Sequence, residues 1–295
     1  MKNDATLELS SEEKESIKFF WELQGNLKDE LITKHIIIPK NELYKVGPDE
    51  VLDNGIPSKY GYTIIPVTKK EDPNSFEAVH IYSESKNEYI KETLEIKDFI
   101  SDETNLETLF DLFIEKKRLW FFTLSGNTCN GMVTYWDFAN KNSFRIALFN
   151  SISMIENKCR EYIKKRSDEL NQPEIFFELV RKLRLENKYS QSDDPSKKYF
   201  DSKKKNNHSC PTEYLNFLDY RFLIKKIIET NDHKKEKTQF NDGLLGRVNN
   251  FRNEVMHSRT MVSEHTELKK IVEEIVAISK TITTLNKMIT GDIYE

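Results

Sequence analysis

Cysteine is scarce in this chain: there are three in 295 residues (Cys129, Cys159 and Cys210), odd in number and widely spaced. They make neither a disulfide framework nor a zinc-ligand pattern, which points to a reducing cytoplasm. No apolar run approaches the roughly 18–20 residues needed to span a bilayer, and the opening MKNDATLELSSEEKES has no apolar signal-peptide core, so no membrane partner is expected. Nine Gly and eight Pro exclude a collagen-like or linker-dominated chain. No cluster of Asp, Glu and His has metal-ligand spacing. His35, His80, His208, His233 and His265 are scattered, and Met132, Met154 and Met256 read as packing residues, so no metal is expected. Hydrophobic residues are only 37% and the mean hydropathy is -0.66. Yet 18 Phe, 12 Tyr and 3 Trp argue for a folded chain, and the length favours two domains.

Charge is divided unevenly. Residues 1–150 sum to -8 and residues 151–295 to +4. The basic excess gathers at Arg181-Lys182-Arg184, Lys203-Lys204-Lys205, Lys225-Lys226 and Lys234-Lys235-Lys237. An acidic half joined to a basic half suggests that only the second meets a polyanion, with RNA the candidate partner and Lys203, Lys204 and Lys205 the candidate contacts. Solvated helix lysines would give the same pattern. A pI near 6.0 argues against a tight, non-specific DNA coat.

Along the chain, residues 10–31 predict an opening helix, with Ser10 and Glu13 as a capping box and Ile17, Phe20, Leu23, Leu27 and Leu31 at helical spacing. Short β-type runs follow at His35–Ile38, Tyr62–Val67 and Ala78–Tyr82. Asp102–Lys116 predicts a helix striped by Leu106, Leu109, Phe110 and Phe113, and Arg118–Leu124 and Gly131–Trp136 predict two strands around the turn Ser125–Asn130. Helices are predicted near 144–167, 174–188, 213–230, 241–258 and 264–290, with the polar stretch 189–212 as a long loop. The expected fold class is α+β: an α/β domain over 1–143, then an all-α helical bundle over 144–295. The first half has room for two diverged copies of one unit.

The strand at 131–136 ends in Gly131-Met132-Val133-Thr134-Tyr135-Trp136-Asp137. A carboxylate at a strand end accepts hydrogen bonds from both hydroxyls of a ribose, a nearby Thr donates to a phosphate, and a Gly admits close approach. Residues 98–143 resemble the second half of a CBS-domain pair, which ends in this Gly-x-x-Thr-x-x-Asp motif. The resemblance implies binding of an adenine nucleotide, with Gly131, Thr134 and Asp137 as its site. Residues 35–95 would form the first unit, although Phe76–Tyr82 lacks the motif. Without a ligand, Asp137 would serve to cap the helical turn that follows.

In the second half the strongest local pattern is Phe251-Arg252-Asn253-Glu254-Val255-Met256-His257. On a helix, Leu244, Val248, Phe251 and Val255 fall within roughly 60° of one another and form the buried stripe. Asn253 and His257 share the opposite face, bordered by Asn249 and Asn250, with Arg252 on the flank. A solvated His near a helix C-terminus is the plain alternative. Arg-x4-His on a late helix, with Asn after the Arg, resembles the HEPN superfamily, and Tyr214–Tyr220 resembles that superfamily's preceding core helix. The resemblance implies metal-independent RNA cleavage at a site composed across a homodimer, with Arg252, Asn253 and His257 catalytic. Arg259 stands where the family's nucleotidylation-linked toxins carry Tyr, which favours the nuclease branch. The chemistry fits the residues independently, because RNA carries its own 2′-hydroxyl nucleophile and needs no catalytic cofactor. His257 handles a proton, Arg252 pairs with the phosphate, and a two-fold interface supplies the second His.

The expectation is therefore a cytoplasmic homodimeric endoribonuclease gated by an adenine nucleotide, in a toxin or antiphage role. The alternative is a nucleotide-responsive interaction module with no activity.

Overall fold

The computed structural model describes residues 8–57, 62–83, 85–116, 118–189, 193–205, 209–230, 240–256 and 268–291. The chain divides into two compact units.

One unit is built from Gly25–Ala147. The opening helix α1 (Ser11–Glu22) does not belong to it. Helix α1 has the expected Ser10–Glu13 capping box, but the helical run predicted to residue 31 breaks after Leu23. Gly25 adopts a φ of +53°, a left-handed conformation open to Gly without strain, and only the short α2 (Leu27–Glu30) follows. Two sheets then form. Strands β1 (Ile38–Pro39), β5 (Phe99–Ser101), β6 (Trp120–Ser125) and β7 (Thr128–Thr134) make one, in the order β1-β7-β6-β5. Strands β2 (Ile64–Thr68), β3 (Phe76–Ser83) and β4 (Glu88–Thr93) make an antiparallel meander. The run predicted as strand from His35 begins instead as a 3-10 turn, Thr33–His35.

Helix α3 (Leu106–Glu115) buries the whole predicted stripe of Leu106, Leu109, Phe110 and Phe113, and Asn105 caps it by accepting from Thr108 N at 2.8 Å. Strand β5 runs parallel to β6, and β6 pairs antiparallel with β7 through the Gly126 turn. The same relation recurs earlier, where Val46 bridges Val67 in parallel and β2 pairs antiparallel with β3. The two sheets share a core of Phe76 and Val79 from β3 with Trp120, Phe122 and Met132 from β6 and β7. An aromatic cluster fixes α3 to the end of β7: Phe113 lies 5.6 Å from Phe121 and 5.8 Å from Tyr135, and Phe110 lies 5.4 Å from Phe138.

Strand β7 stops at Thr134, earlier than predicted, and a short helix α4 (Tyr135–Asn140) follows at once. It replaces the expected strand through Trp136 because Thr134 caps it and Tyr135, Phe138 and Ala139 are buried along it.

The second unit is helical and contains α1, most of α5 (Asn142–Arg166), α6 (Pro173–Glu186), α7 (Pro195–Lys203), α8 (Phe217–Thr230), α9 (Asp242–Met256) and most of α10 (Leu268–Thr290). Ser279 Oγ donates to the Ser16 carbonyl at 2.8 Å, and Lys280 pairs with Glu12 at 2.9 Å, so α10 holds α1. Arg184 on α6 makes a two-pronged pair with Asp219 on α8. Arg247 on α9 reaches both Glu273 and Glu274 on α10. The loop expected over 189–212 contains α7, because Asp194 caps Ser196 and Lys197, Pro195 opens the first turn, and Tyr199 is buried. Helix α8 starts at Phe217, later than predicted, because Asn216 caps it after the 3-10 turn Pro211–Tyr214.

Candidate functional site

Of the predicted nucleotide residues, Thr134 and Asp137 lie together at the β7–α4 junction, while Gly131 lies within β7 opposite Pro39 of β1. Thr134 is the N-cap of α4 and Asp137 its third residue, and each caps the other. Asp137 Oδ2 accepts from Thr134 N at 3.1 Å and from Thr134 Oγ1 at 2.6 Å, while Thr134 Oγ1 accepts from Asp137 N at 3.2 Å. Both side chains are buried. Burial pushes the Asp137 carboxyl above the usual carboxylate range, and the bonds from Thr134 pull it only part of the way back. The capping role foreseen for Asp137 is therefore present. Gly131 has an equally local cause. A Cβ there would overlap the Ile38 carbonyl oxygen and lie 3.3 Å from its carbon, so only glycine lets β1 close on β7.

In the second unit Val248, Phe251 and Val255 are buried on α9 as predicted. Leu244 is only half-buried, and Leu245 is fully buried in its place, so the core face of α9 is wider than the narrow stripe. Arg252 and Asn253 lie on the flank, half-exposed. Arg252 Nε donates to Glu156 Oε1 on α5 at 2.9 Å. The other oxygen of Glu156 accepts from Arg160 Nη2 at 3.4 Å, so one carboxylate bridges two guanidinium groups. Arg160 Nε donates to the Tyr220 hydroxyl at 2.8 Å, and Tyr220 donates to the Thr212 carbonyl at 3.0 Å. Burial pushes the Tyr220 phenol up to about 12, so it stays neutral, and it holds Arg160 by its hydroxyl and by its ring, 5.7 Å from the guanidinium carbon. Sequence reasoning missed Glu156, Arg160 and Tyr220. Glu156 and Arg160 are four residues apart on α5 and so share a face, the one signal that was available.

His257 and Arg259 lie outside the described residues, as do His208, His233, His265 and Lys234-Lys235-Lys237. Lys203, Lys204 and Lys205 are exposed, but at the C-terminal end of a helix and not in a loop. Lys204 lies 3.4 Å from Asp201, and Lys203 stands over the Tyr199 ring at 5.8 Å. Arg184, counted above with the basic excess, is not a surface cation, since it is spent on buried Asp219. Among the described residues no group of His, Cys, Asp and Glu could hold a metal ion, and no helix is long and apolar enough to cross a membrane.

No family profile and no curated protein matches the sequence. Among solved structures, the chain is similar to the CBS domain of a bacterial CNNM/CorC family Mg2+ transporter in complex with ATP, at 14% identity and a TM-score of 0.33, over 43% of this chain and 95% of that one. It is also similar to the CBS domain of a putative transporter from Clostridium difficile 630, at 15% identity and a TM-score of 0.29, over 38% and 93% of the two chains. A third similar chain is CBSX2 in complex with AMP, at 15% identity and a TM-score of 0.29, over 37% and 93%.

Proposed function

We propose that the chain is a metal-independent endoribonuclease of HEPN type, acting as a homodimer and regulated by an adenine nucleotide at the first unit. The observation that carries the nuclease reading is the half-exposed flank of α9, where Arg252 and Asn253 stand beside a core stripe that leaves them unburied. In this reading the RNA 2′-oxygen bonds to phosphorus as its proton passes to a base. The bond from phosphorus to the 5′-oxygen breaks, and that oxygen takes a proton from an acid. The products are a 2′,3′-cyclic phosphate and a free 5′-hydroxyl. His257 serves as one of the proton carriers and its copy in the second protomer as the other. Arg252 neutralises charge on the phosphate in the transition state. The regulatory reading rests on Thr134 and Asp137 meeting where β7 turns into α4. A ribose would take over the carboxylate now bonded to Thr134.

Incubating the protein with a fluorescent single-stranded RNA in EDTA, with and without AMP or ATP, tests both halves. Cleavage to cyclic-phosphate ends, abolished in His257→Ala, is the expected result. Intact RNA under every condition rejects the nuclease reading. A second reading, an inactive nucleotide-responsive interaction module, has one observation in its favour: Arg252 already spends its Nε on Glu156, as a purely structural arginine would.

A further inference from the structure

We infer that Arg160 is a second phosphodiester-binding group beside Arg252, and that Glu156 is the positioning residue that holds both guanidinium groups toward the RNA backbone; this rests on the nuclease reading of the same flank. A closed structural ion pair is present in the same unit: Arg184 gives two donors to the two oxygens of Asp219, whose side chain is 0% exposed. The Glu156 group is built otherwise. Its carboxylate is split, one oxygen to Arg252 at 2.9 Å and one to Arg160 at 3.4 Å. Each arginine receives one contact where the Arg184 fork receives two. The two cations share one anion, so the trio keeps a net charge of about +1 by simple counting of ionised side chains at neutral pH. All three side chains keep contact with solvent, at 31% for Arg252, 26% for Arg160 and 19% for Glu156.

Arg160 is also anchored at both ends of its fork. Its Nε is held by the Tyr220 hydroxyl and its Nη1 by Asn157 Oδ1 at 3.0 Å. Tyr220 is buried and tied in turn to the Thr212 carbonyl, so the guanidinium plane is fixed before any ligand arrives. Two pre-oriented planar cations with one unit of uncompensated charge match a phosphodiester, which carries one negative charge and two non-bridging oxygens. Arg252 Nε points to Glu156, so loss of that carboxylate frees Arg252 to swing without removing its charge.

The test uses the full chain and two oligonucleotides of one sequence, an RNA and its fully 2′-O-methylated form, which cannot be cleaved because the nucleophile is blocked. Binding of the methylated strand is read by fluorescence anisotropy across a salt series. Cleavage of the RNA is read as kcat and KM. Arg160→Gln should weaken binding about tenfold and reduce the salt slope by about one. Arg160→Lys should recover the slope but not the full affinity, because an ammonium keeps the charge and loses the fork. Glu156→Gln should bind the methylated strand as well as the original protein or better, and lose about 10–100-fold in kcat with KM little changed. Melting curves exclude misfolded variants. If Arg160→Gln and Arg160→Lys both bind like the original chain while RNA is still cleaved, the inference is overturned and the nuclease reading stands. If Glu156→Gln keeps its kcat, the positioning role is overturned. Arg160-dependent binding without any cleavage supports the inference and rejects the nuclease reading. No binding of the methylated strand overturns the inference, whatever the cleavage result.

Discussion

Thr134 and Asp137 cap the same turn from both sides, the Asp137 carboxylate taking the Thr134 N–H at 3.1 Å and hydroxyl at 2.6 Å while the Thr134 oxygen takes the Asp137 N–H at 3.2 Å. The residue proposed for a ribose, Asp137, and the one proposed for a phosphate, Thr134, are thus the two that cap the start of α4. This makes a stability control obligatory in any binding experiment. Asp137→Ala should cost about 1 kcal/mol of stability with no nucleotide present, the ordinary loss of a helix cap. Asp137→Asn keeps an oxygen for the Thr134 N–H and should retain most of that stability. Both should weaken adenine-nucleotide binding by roughly 1.5–3 kcal/mol, the scale of hydrogen bonds to a charged group. Calorimetric titration with AMP and ATP checks this, and an Asn variant that binds as tightly as the original chain would rule out charge-based ribose recognition.

Asp137 also gives a pH dependence of definite sign. Its carboxyl is held above the usual range, chiefly by burial. In an unfolded chain it titrates near about 3.9. Between that value and the higher folded one, the folded state binds more protons than the unfolded state. Stability from this residue is therefore fully present below the unfolded value and is lost as pH rises through the folded value. Denaturant midpoints measured from pH 4 upward should fall in the original chain relative to those of Asp137→Asn. A fall of equal size in both would assign the effect to other groups.

Much of the architecture was legible because burial and periodicity agreed. The α3 stripe, the Ser10–Glu13 box and the β6–β7 hairpin follow directly from spacing. What was missed has physical reasons. Strand β4 reads Glu-Tyr-Ile-Lys-Glu-Thr and is mostly exposed at the edge of its sheet, so no apolar alternation marks it. Helix α7 lies in a run of Lys and Ser whose buried side chains are Pro195 and Tyr199. The Asp194-Pro195 start was its one clear signal. The contact of Arg252 with Glu156 joins residues 96 apart in the chain, and no local pattern encodes that meeting.

Gly131 stands where any side chain would meet the backbone of β1. Gly131→Ala should destabilise the first unit by about 1–3 kcal/mol, because the new methyl group meets the Ile38 backbone, which cannot move aside as a side chain would. Urea denaturation followed by tryptophan fluorescence reads it, since Trp120 packs in the adjoining core. Hydrogen exchange at the β1–β7 contact should rise first. A neutral effect would mean that β1 is free to leave the sheet.

Phe251 separates structure from chemistry on α9. It is 2% exposed on the core face of the same helix that carries Arg252. Phe251→Ala should cost roughly 3–5 kcal/mol through the cavity it leaves. Arg252→Gln should change stability by about 1 kcal/mol or less, because the pair it breaks is partly solvated and Glu156 keeps Arg160. Thermal melts of the two variants check the contrast. A large loss in Arg252→Gln would make that arginine a structural residue first.

Arg184 and Asp219 supply the opposite case, a pair closed off from solvent. Asp219 accepts from Arg184 Nε at 2.7 Å and Nη2 at 2.5 Å, and also from the Asn216 N–H at 3.0 Å at the start of α8. Removing the carboxylate therefore strands a largely buried guanidinium and deletes a helix cap at once. Asp219→Ala should cost about 3–5 kcal/mol, well above an exposed pair. Arg184→Met keeps length and apolar bulk, yet leaves the Asp219 charge with backbone donors alone. It should be comparably destabilising at neutral pH. The double variant should lose less than the sum of the two, by about 0.5–3 kcal/mol, because the second change removes a group the first had already orphaned. Chemical denaturation of all four proteins closes the cycle. Strict additivity would mean that the two side chains do not stabilise each other, and that burial of residues such as Phe176 and Val180 on α6 and Tyr220 and Leu223 on α8 holds these helices instead.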